Sequence, residues 1–417
     1  MHKTIRIDQL RLGMHLHSLG GPWLDHPFWK TRFVLGDPAD LVKLRASGVR
    51  ECVIDTSRGL DVEVQAQPQV PAGAPPQLHA LTPRPAALPT RLEEEAAVAQ
   101  RLCALARDSV SSLHDEARLG RALDVEGCVP LVDEIASSMQ RNAGAMLGLA
   151  RLKTHDDYTF MHSVAVCTLM VVLGRRMGLG EEQVREAGLA GLLHDMGKAR
   201  IPLELLNKPG KLTPAEYGQV RDHARLGHDM LLQGGSASPM VLDVCLHHHE
   251  RPDGQGYPEG LSGEAFSLHA RMAAVCDVYD AITSNRPYKA GWLPADSIAR
   301  MAEWTRAGKF DAAVFRAFID CVGIYPVGSL VRLASERLAV VVEHDPAAPL
   351  APRVKVFYSL RAQLTLPTEL LDLSQPGCRD RIVGRESNAR WRFPFLDSLA
   401  TPETNAAPLR RGSKATA

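Results

Sequence analysis

Three features are missing from the 417-residue sequence, and each absence removes a class of protein. There is no surplus of charge: 48 basic and 48 acidic side chains cancel, whereas a general binder of polymeric nucleic acid carries a basic excess. There is no Cys-x-x-Cys pair. The eight cysteines (Cys52, Cys103, Cys128, Cys167, Cys245, Cys276, Cys321 and Cys378) are scattered, which argues against a zinc knuckle or disulfide framework and reads as buried thiols of a reducing compartment. Finally, no run approaches the roughly 18 apolar residues that span a bilayer, and the first residues lack the apolar stretch of a signal peptide. Neither polymeric nucleic acid nor a membrane is therefore an expected partner, and the expected location is the cytoplasm. With 45% hydrophobic residues, the chain is long enough for two or three globular domains.

Periodicity divides what is present. Residues 1–64 alternate apolar and polar positions around Ile5 and Ile7 and again over Val49–Ile54, with a short helix over Asp40–Ser47. They predict a small β-rich accessory domain, with Trp23, Phe28, Trp29 and Phe33 plugging its core. Residues 65–89 form a Pro/Ala-rich linker. A helical connector follows over 90–152, opened by a capping box of Thr90 and Glu93 and interrupted near Gly127–Pro130. A helical domain occupies 153–326, a small β appendage 327–372, and an irregular tail 373–417. The fold class is mainly α: a large helical domain with a small N-terminal α+β or β module and a short C-terminal β appendage.

The histidines carry the chemistry. Of 16, nine fall between His155 and His269. His162 shares a helical stripe with Val166, Leu169 and Leu173. His194 and Asp195 close a helix whose inner positions are Val184, Gly188, Gly191 and Leu192, with Lys198 three residues on. His223 lies on a face with Val220 and Gly227. His248 continues the stripe of Val241, Val244 and Cys245, within the run His247-His248-His249. Asp277 and Asp280 share a face with Ala273, Cys276 and Ala281, and Arg286 and Lys289 follow directly. Taken singly, each has a plainer reading as a core histidine, a solvated helix end or a surface charge. Burying them together costs several kcal/mol unless something pairs with them.

A metal ion is the partner that fits best. His162, His194, Asp195, His223, His248, His249 and Asp277 supply five imidazoles and two carboxylates, more than one ion needs, so the set suits two ions bridged by Asp195. Nitrogen and oxygen donors without cysteine favour iron or manganese over a structural zinc. Two cationic side chains beside such a centre suit a phosphodiester. The turn-rich loop around Gly256-Tyr257-Pro258 either presents Tyr257 to a ligand or caps a helix.

From about Leu152 to Pro326 the sequence resembles the HD-GYP family of phosphodiesterases that hydrolyse cyclic di-GMP. The resemblance rests on His-Ser-Val-Ala (162–165), His-Asp-Met-Gly-Lys (194–198), His223 with Gly227, His-His-Glu (248–250), Asp-Gly-Gln-Gly-Tyr-Pro (253–258), Asp-Val-Tyr-Asp-Ala (277–281) and Arg-Pro-Tyr-Lys (286–289). Residues 1–64 are similar to the domain often joined to its N-terminus. The resemblance implies two divalent ions per chain: one held by His162, His194 and Asp277, the other by His223, His248 and His249, with Asp195 bridging. It also implies catalytic roles for Asp195 and Lys198 and substrate contacts from Arg286 and Lys289; Tyr257 and Asp280, from the neighbouring loop and helix, are the further substrate contacts expected. Some members carry glutamate where Tyr158 stands and bind a third ion, so this chain is expected to be dinuclear.

Charge then suggests the mechanism. A hydroxide bridging the metals attacks phosphorus in line with the departing 3′ oxygen. Arg286 and Lys289 neutralise the phosphate, and Lys198 stabilises or protonates the leaving oxygen. The products are pGpG and, after a second cut, GMP. A diguanylate cyclase domain and a second copy of the chain are the expected protein partners. The alternatives are a non-catalytic cyclic di-GMP receptor or scaffold, and an HD phosphohydrolase acting on another cyclic dinucleotide.

Overall fold

The computed structural model describes residues 1–21, 26–28, 32–62, 90–150, 158–284, 291–344 and 348–400. At the N-terminus, strands β1 (His2–Arg6), β2 (His15–Leu19), β3 (Phe33–Val34) and β4 (Glu51–Asp55) form an antiparallel sheet in the order β1-β4-β2-β3. Ile5 pairs with Cys52, and Ile54 pairs with Leu16, so the alternating apolar positions share one face. Helix α1 (Pro38–Ala46) is capped by Asp37, which accepts from the Ala39 amide at 2.8 Å, and adds Leu44 to this core. Phe28 and Phe33 meet edge to face. Trp23, Trp29 and the Pro/Ala-rich linker lie outside the described residues.

The predicted connector is a pair of long helices, α2 (Leu92–Arg118) and α3 (Val129–Ala150), separated by a 3₁₀ turn at Glu126–Cys128. Its start departs from the sequence expectation. The helix is entered through Arg91, which offers no side-chain cap, and Thr90 lies one residue earlier, where its Oγ1 donates to Glu95 Oε2 at 3.0 Å. Glu95 also accepts from Ser138 and twice from Arg141, at 2.7 to 2.8 Å. This buried network, rather than a local cap, pins α2 to α3.

Among the described residues nine further helices follow: α4 (Tyr158–Arg176), α5 (Glu181–Leu193), α6 (Leu203–Leu206), α7 (Pro214–Arg221), α8 (His223–Gly234), α9 (Pro239–His247), α10 (Leu268–Thr283), α11 (Pro294–Arg306) and α12 (Ala312–Val322). All but α6 and α7 share one apolar core with α2 and α3. The small residues of α5 let it lie close on α4: a Cβ at Gly191 would stand 3.0 Å from the Cys167 Cα. Val220, His223 and Gly227 do not share one helix: Pro214–Arg221 and His223–Gly234 are two helices that meet at Asp222. A capping box of Thr213 and Glu216 opens the first.

The C-terminal unit is larger than its sequence suggests. Strands β5 (Leu330–Leu333), β6 (Arg337–Glu343), β7 (Arg353–Ser359), β8 (Leu364–Asp372) and β9 (Ile382–Arg385) form an antiparallel sheet in the order β8-β7-β6-β5-β9. The expectation of an irregular tail from 373 is thereby corrected. Beyond β9, the short helices α13 (Asn388–Trp391) and α14 (Leu396–Ala400) close over the sheet, with Leu396 and Ala400 buried and Phe393 and Phe395 edge-on to Phe357. β8 hides its strand character because it is an exposed edge carrying Pro367, a position where a missing amide is tolerated. Residues 401–417 lie outside the described residues. No described helix is long and apolar enough to cross a membrane.

Candidate metal centre

Two glycines bring the halves of the site together. A Cβ on Gly197 would stand 1.8 Å from the His223 carbonyl oxygen and 2.6 Å from the Gly227 amide nitrogen. One on Gly227 would meet Cys245 Sγ at 2.7 Å. Only bare backbone lets the turn after Asp195 lie directly against α8, which sets His223 opposite His194 and Asp195.

The Asp195 carboxylate is the centre of the arrangement. Its Oδ2 lies 3.4 Å from His162 Nε2 and 3.3 Å from His194 Nε2, while its Oδ1 lies 3.3 Å from His223 Nε2 and 3.9 Å from His248 Nε2. Asp277 adds Oδ1 at 3.0 Å from His162 Nε2 and Oδ2 at 3.6 Å from His249 Nδ1. The donor atoms of His162, His194 and Asp277 all lie within 4.8 Å of one another, as do those of His223, His248 and His249. His194, Asp195 and His248 form a third such group. Asp195 thus stands between two sets of three donors.

Hydrogen bonds behind the rings fix which nitrogen faces inward. The Nδ1–H of His194 donates to Gly191 O at 2.8 Å, that of His223 to Val220 O at 2.7 Å, and that of His248 to Cys245 O at 3.0 Å, leaving each Nε2 lone pair turned to the centre. His162 Nδ1 donates to Asp280 Oδ2 at 2.6 Å. Asp280, expected from sequence to contact substrate, is instead almost fully buried behind His162. It is a positioning residue. Asp280→Asn is therefore expected to weaken metal binding about ten- to a hundredfold, the usual effect of losing a carboxylate that supports a ligating histidine. A metal titration of the purified variant measures this, and unchanged affinity would contradict the assignment.

The electrostatics suit a cation. Burial drives the imidazoles of His223 and His248 below the ordinary histidine range, and that of His249 down to about 3. Burial works against ionisation of Asp195 and Asp277 too, but Lys198 and His194 around the first, and His162 and His249 around the second, hold both carboxyls well below the usual range. His162 is likewise desolvated, yet its hydrogen bonds to Asp195, Asp277 and Asp280 outweigh that and raise it to about 10. Two anions and the neutral imidazoles of His223, His248 and His249 are in the protonation states that metal ligation needs. Moreover, His194 Nε2 and Asp195 Oδ1 are buried without a hydrogen-bond partner, at about 1 to 3 kcal/mol each if nothing binds them. The residues present fit a divalent cation.

Lys198, one turn beyond Asp195, places Nζ 2.5 Å from Asp195 Oδ2 and keeps a quarter of its side chain exposed. On the opposite wall, the Tyr257 ring lies 4.6 Å from that of His249. Its loop is held by Glu250, a fully buried carboxylate accepting from the Glu259, Gly260 and Leu261 amides at 2.7 to 3.0 Å. Glu250→Ala would strand three amides, so a stability loss of about 2 to 5 kcal/mol is expected in denaturant unfolding. Of the other sequence-derived residues, Arg286 and Lys289 lie outside the described residues, as does the side chain of Tyr158.

Sequence reasoning passed over Glu250, because its targets are backbone amides, and over His114. The latter is buried on α2, edge to face with Phe160 two residues before His162, and burial lowers it to about 4. Its signal was available: it follows Val110 and Leu113 on an apolar stripe. A separate cavity of about 1020 Å³ lies on the far side of Asp280, walled by α3, α4, α10, α12 and the C-terminal sheet.

A helical core holding an adjacent His-Asp pair among further inward histidines defines an HD-type domain, and residues 138–314 match the HD domain family. Residues 2–128 match a domain of unknown function, DUF3391, which extends past the N-terminal sheet through α2. A cyclic di-GMP phosphodiesterase of Pseudomonas aeruginosa is 54% identical over 402 residues, covering 96% of each chain. A cyclic di-GMP phosphodiesterase response regulator of Xanthomonas campestris is 48% identical over 31% of this chain and 34% of its own. A 3′3′-cGAMP-specific phosphodiesterase of Vibrio cholerae is 35% identical over 42% and 40%, respectively. The chain belongs to the HD-GYP family of HD-domain phosphodiesterases.

Proposed function

We propose that this chain is a metal-dependent phosphodiesterase that opens cyclic di-GMP to linear pGpG and, after a second cut, to GMP. The observation that carries the proposal is the Asp195 carboxylate, with one oxygen facing His162 and His194 and the other facing His223 and His248. The reading is supported by the relative in Pseudomonas aeruginosa, which shares nearly the whole length of the chain.

In this reading His162, His194 and Asp277 hold one divalent cation, His223, His248 and His249 hold a second, and Asp195 serves both. When bound, two such ions supply a water acidified toward neutrality and positive charge against the phosphoryl oxygens. Iron or manganese suits the donors. The remaining work belongs to the chain. Asp280 keeps His162 turned inward. Lys198, a quarter exposed beside Asp195, is placed to pass a proton from Nζ to the 3′ oxygen as the P–O bond breaks. Arg286 and Lys289 are assigned to the phosphate oxygens by the resemblance of their motif.

Chromatography of cyclic di-GMP incubated with iron- or manganese-loaded protein tests the proposal. The expected product is pGpG, with turnover abolished by a chelator and restored by metal. Binding without cleavage by fully loaded protein would favour a receptor, and faster cleavage of 3′3′-cGAMP would reassign the substrate.

A further inference from the structure

We infer that Arg221 is a specificity-determining residue that grips the half of the cyclic dinucleotide lying beyond the metals. The inference rests on the phosphodiesterase reading and adds a contact to it. Arg221 ends α7, two residues before His223, and its Cζ sits 4.4 Å from the centroid of the Tyr257 ring. That ring in turn lies 4.6 Å from the ring of His249, tilted by 33°. A guanidinium, a phenol and an imidazole thus form a stack running outward from one donor set.

The state of the guanidinium sets Arg221 apart. Its neighbours are neutralised: Arg225 lies near Glu259, Lys208 is held by Glu216, Arg251 by Asp253 and Lys198 by Asp195. Among the described residues Arg221 has no carboxylate within ion-pair distance, only the faces of Tyr257 and, at 6.0 Å, Tyr217. A guanidinium bound through its face keeps its N–H edges available, in a rigid fork that matches two adjacent acceptors.

A cyclic dinucleotide with one phosphate at the metals carries a second phosphate and two bases beyond them, and one of these groups is assigned to the space past this stack. Two ligand groups there present paired acceptors: the second phosphate, and the O6 and N7 edge of guanine. The fork geometry suits both. Arg286 and Lys289 follow α10 in the chain, so Arg221 comes from a different segment.

The test compares wild type, Arg221→Lys and Arg221→Ala as metal-loaded full-length protein, with cyclic di-GMP, cyclic di-AMP and bis(p-nitrophenyl) phosphate. Lysine retains the charge and the aromatic contact but lacks the fork. Both variants are expected to raise KM for cyclic di-GMP about tenfold, to bind it correspondingly more weakly in calorimetry, and to lower its selectivity over bis(p-nitrophenyl) phosphate by a similar factor, with metal content and thermal midpoint unchanged. If the phosphate is the target, cyclic di-AMP loses the same factor. If the guanine edge is the target, the loss is confined to cyclic di-GMP. An Arg221→Lys protein with wild-type KM and selectivity overturns the inference and leaves Arg221 as a clamp on the Tyr257 loop. Wild-type protein that is fully loaded yet neither cleaves nor binds cyclic di-GMP overturns the functional reading itself.

Discussion

Asp195→Asn is expected to abolish turnover and to empty both metal positions. The substitution preserves shape and removes one negative charge at the point where the two donor sets meet. Each set then loses its shared anion, and Lys198 loses the carboxylate oxygen it contacts at 2.5 Å. The effect should exceed the ten- to hundredfold typical of a supporting residue such as Asp280, because Asp195 supplies donor atoms to the ions themselves. Elemental analysis alongside a turnover assay reads both consequences. A variant that keeps two metals and measurable hydrolysis would place the bridge elsewhere.

The second large effect concerns a residue that touches no ligand. Gly197→Ala puts a methyl group 1.8 Å from the His223 carbonyl and 2.6 Å from the Gly227 amide nitrogen. Both obstacles are backbone, so no rotamer change relieves them and α8 must shift. Overpacking of a tight interior ordinarily costs about 1 to 3 kcal/mol, and a clash of this depth belongs at or beyond the upper end. His223 begins α8, so the same displacement carries it away from Asp195. The expected result is a lower unfolding midpoint together with weakened loading of the set formed by His223, His248 and His249. Wild-type stability with full loading would show that the turn after Asp195 has room that the structure denies it.

What the sequence disclosed, and what it hid, follows from the range of each interaction. His162, His194, His223 and His248 were legible because each continues an apolar stripe at helical spacing, and a histidine in such a stripe must point inward. Asp277 and Asp280 were legible as inward-facing, yet Asp280 was read as a substrate contact and not as the support of His162. They lie three residues apart on α10, and only the distance from Asp280 to His162 Nδ1 separates a ligand candidate from its support. Glu250 was hidden because amides nine to eleven residues onward carry no side-chain signature. Thr90 was legible as a helix entry, yet its partner was not: the helix is entered through Arg91, and Thr90 donates to Glu95, which Ser138 and Arg141 hold from another helix. At the far end, β9 and the two short helices depend on the aromatic contacts of Phe393 and Phe395 with Phe357, which no local periodicity announces.

Two donor sets joined through Asp195 should hold two ions in one chain, and metal-to-protein stoichiometry, measured on protein purified anaerobically and reconstituted with iron or manganese, reads this number. Two ions per chain are expected, with Tyr158→Phe leaving that number unchanged. A count of one would break the bridge, and a count of three would show that a further ligand, beginning with Tyr158, has been overlooked.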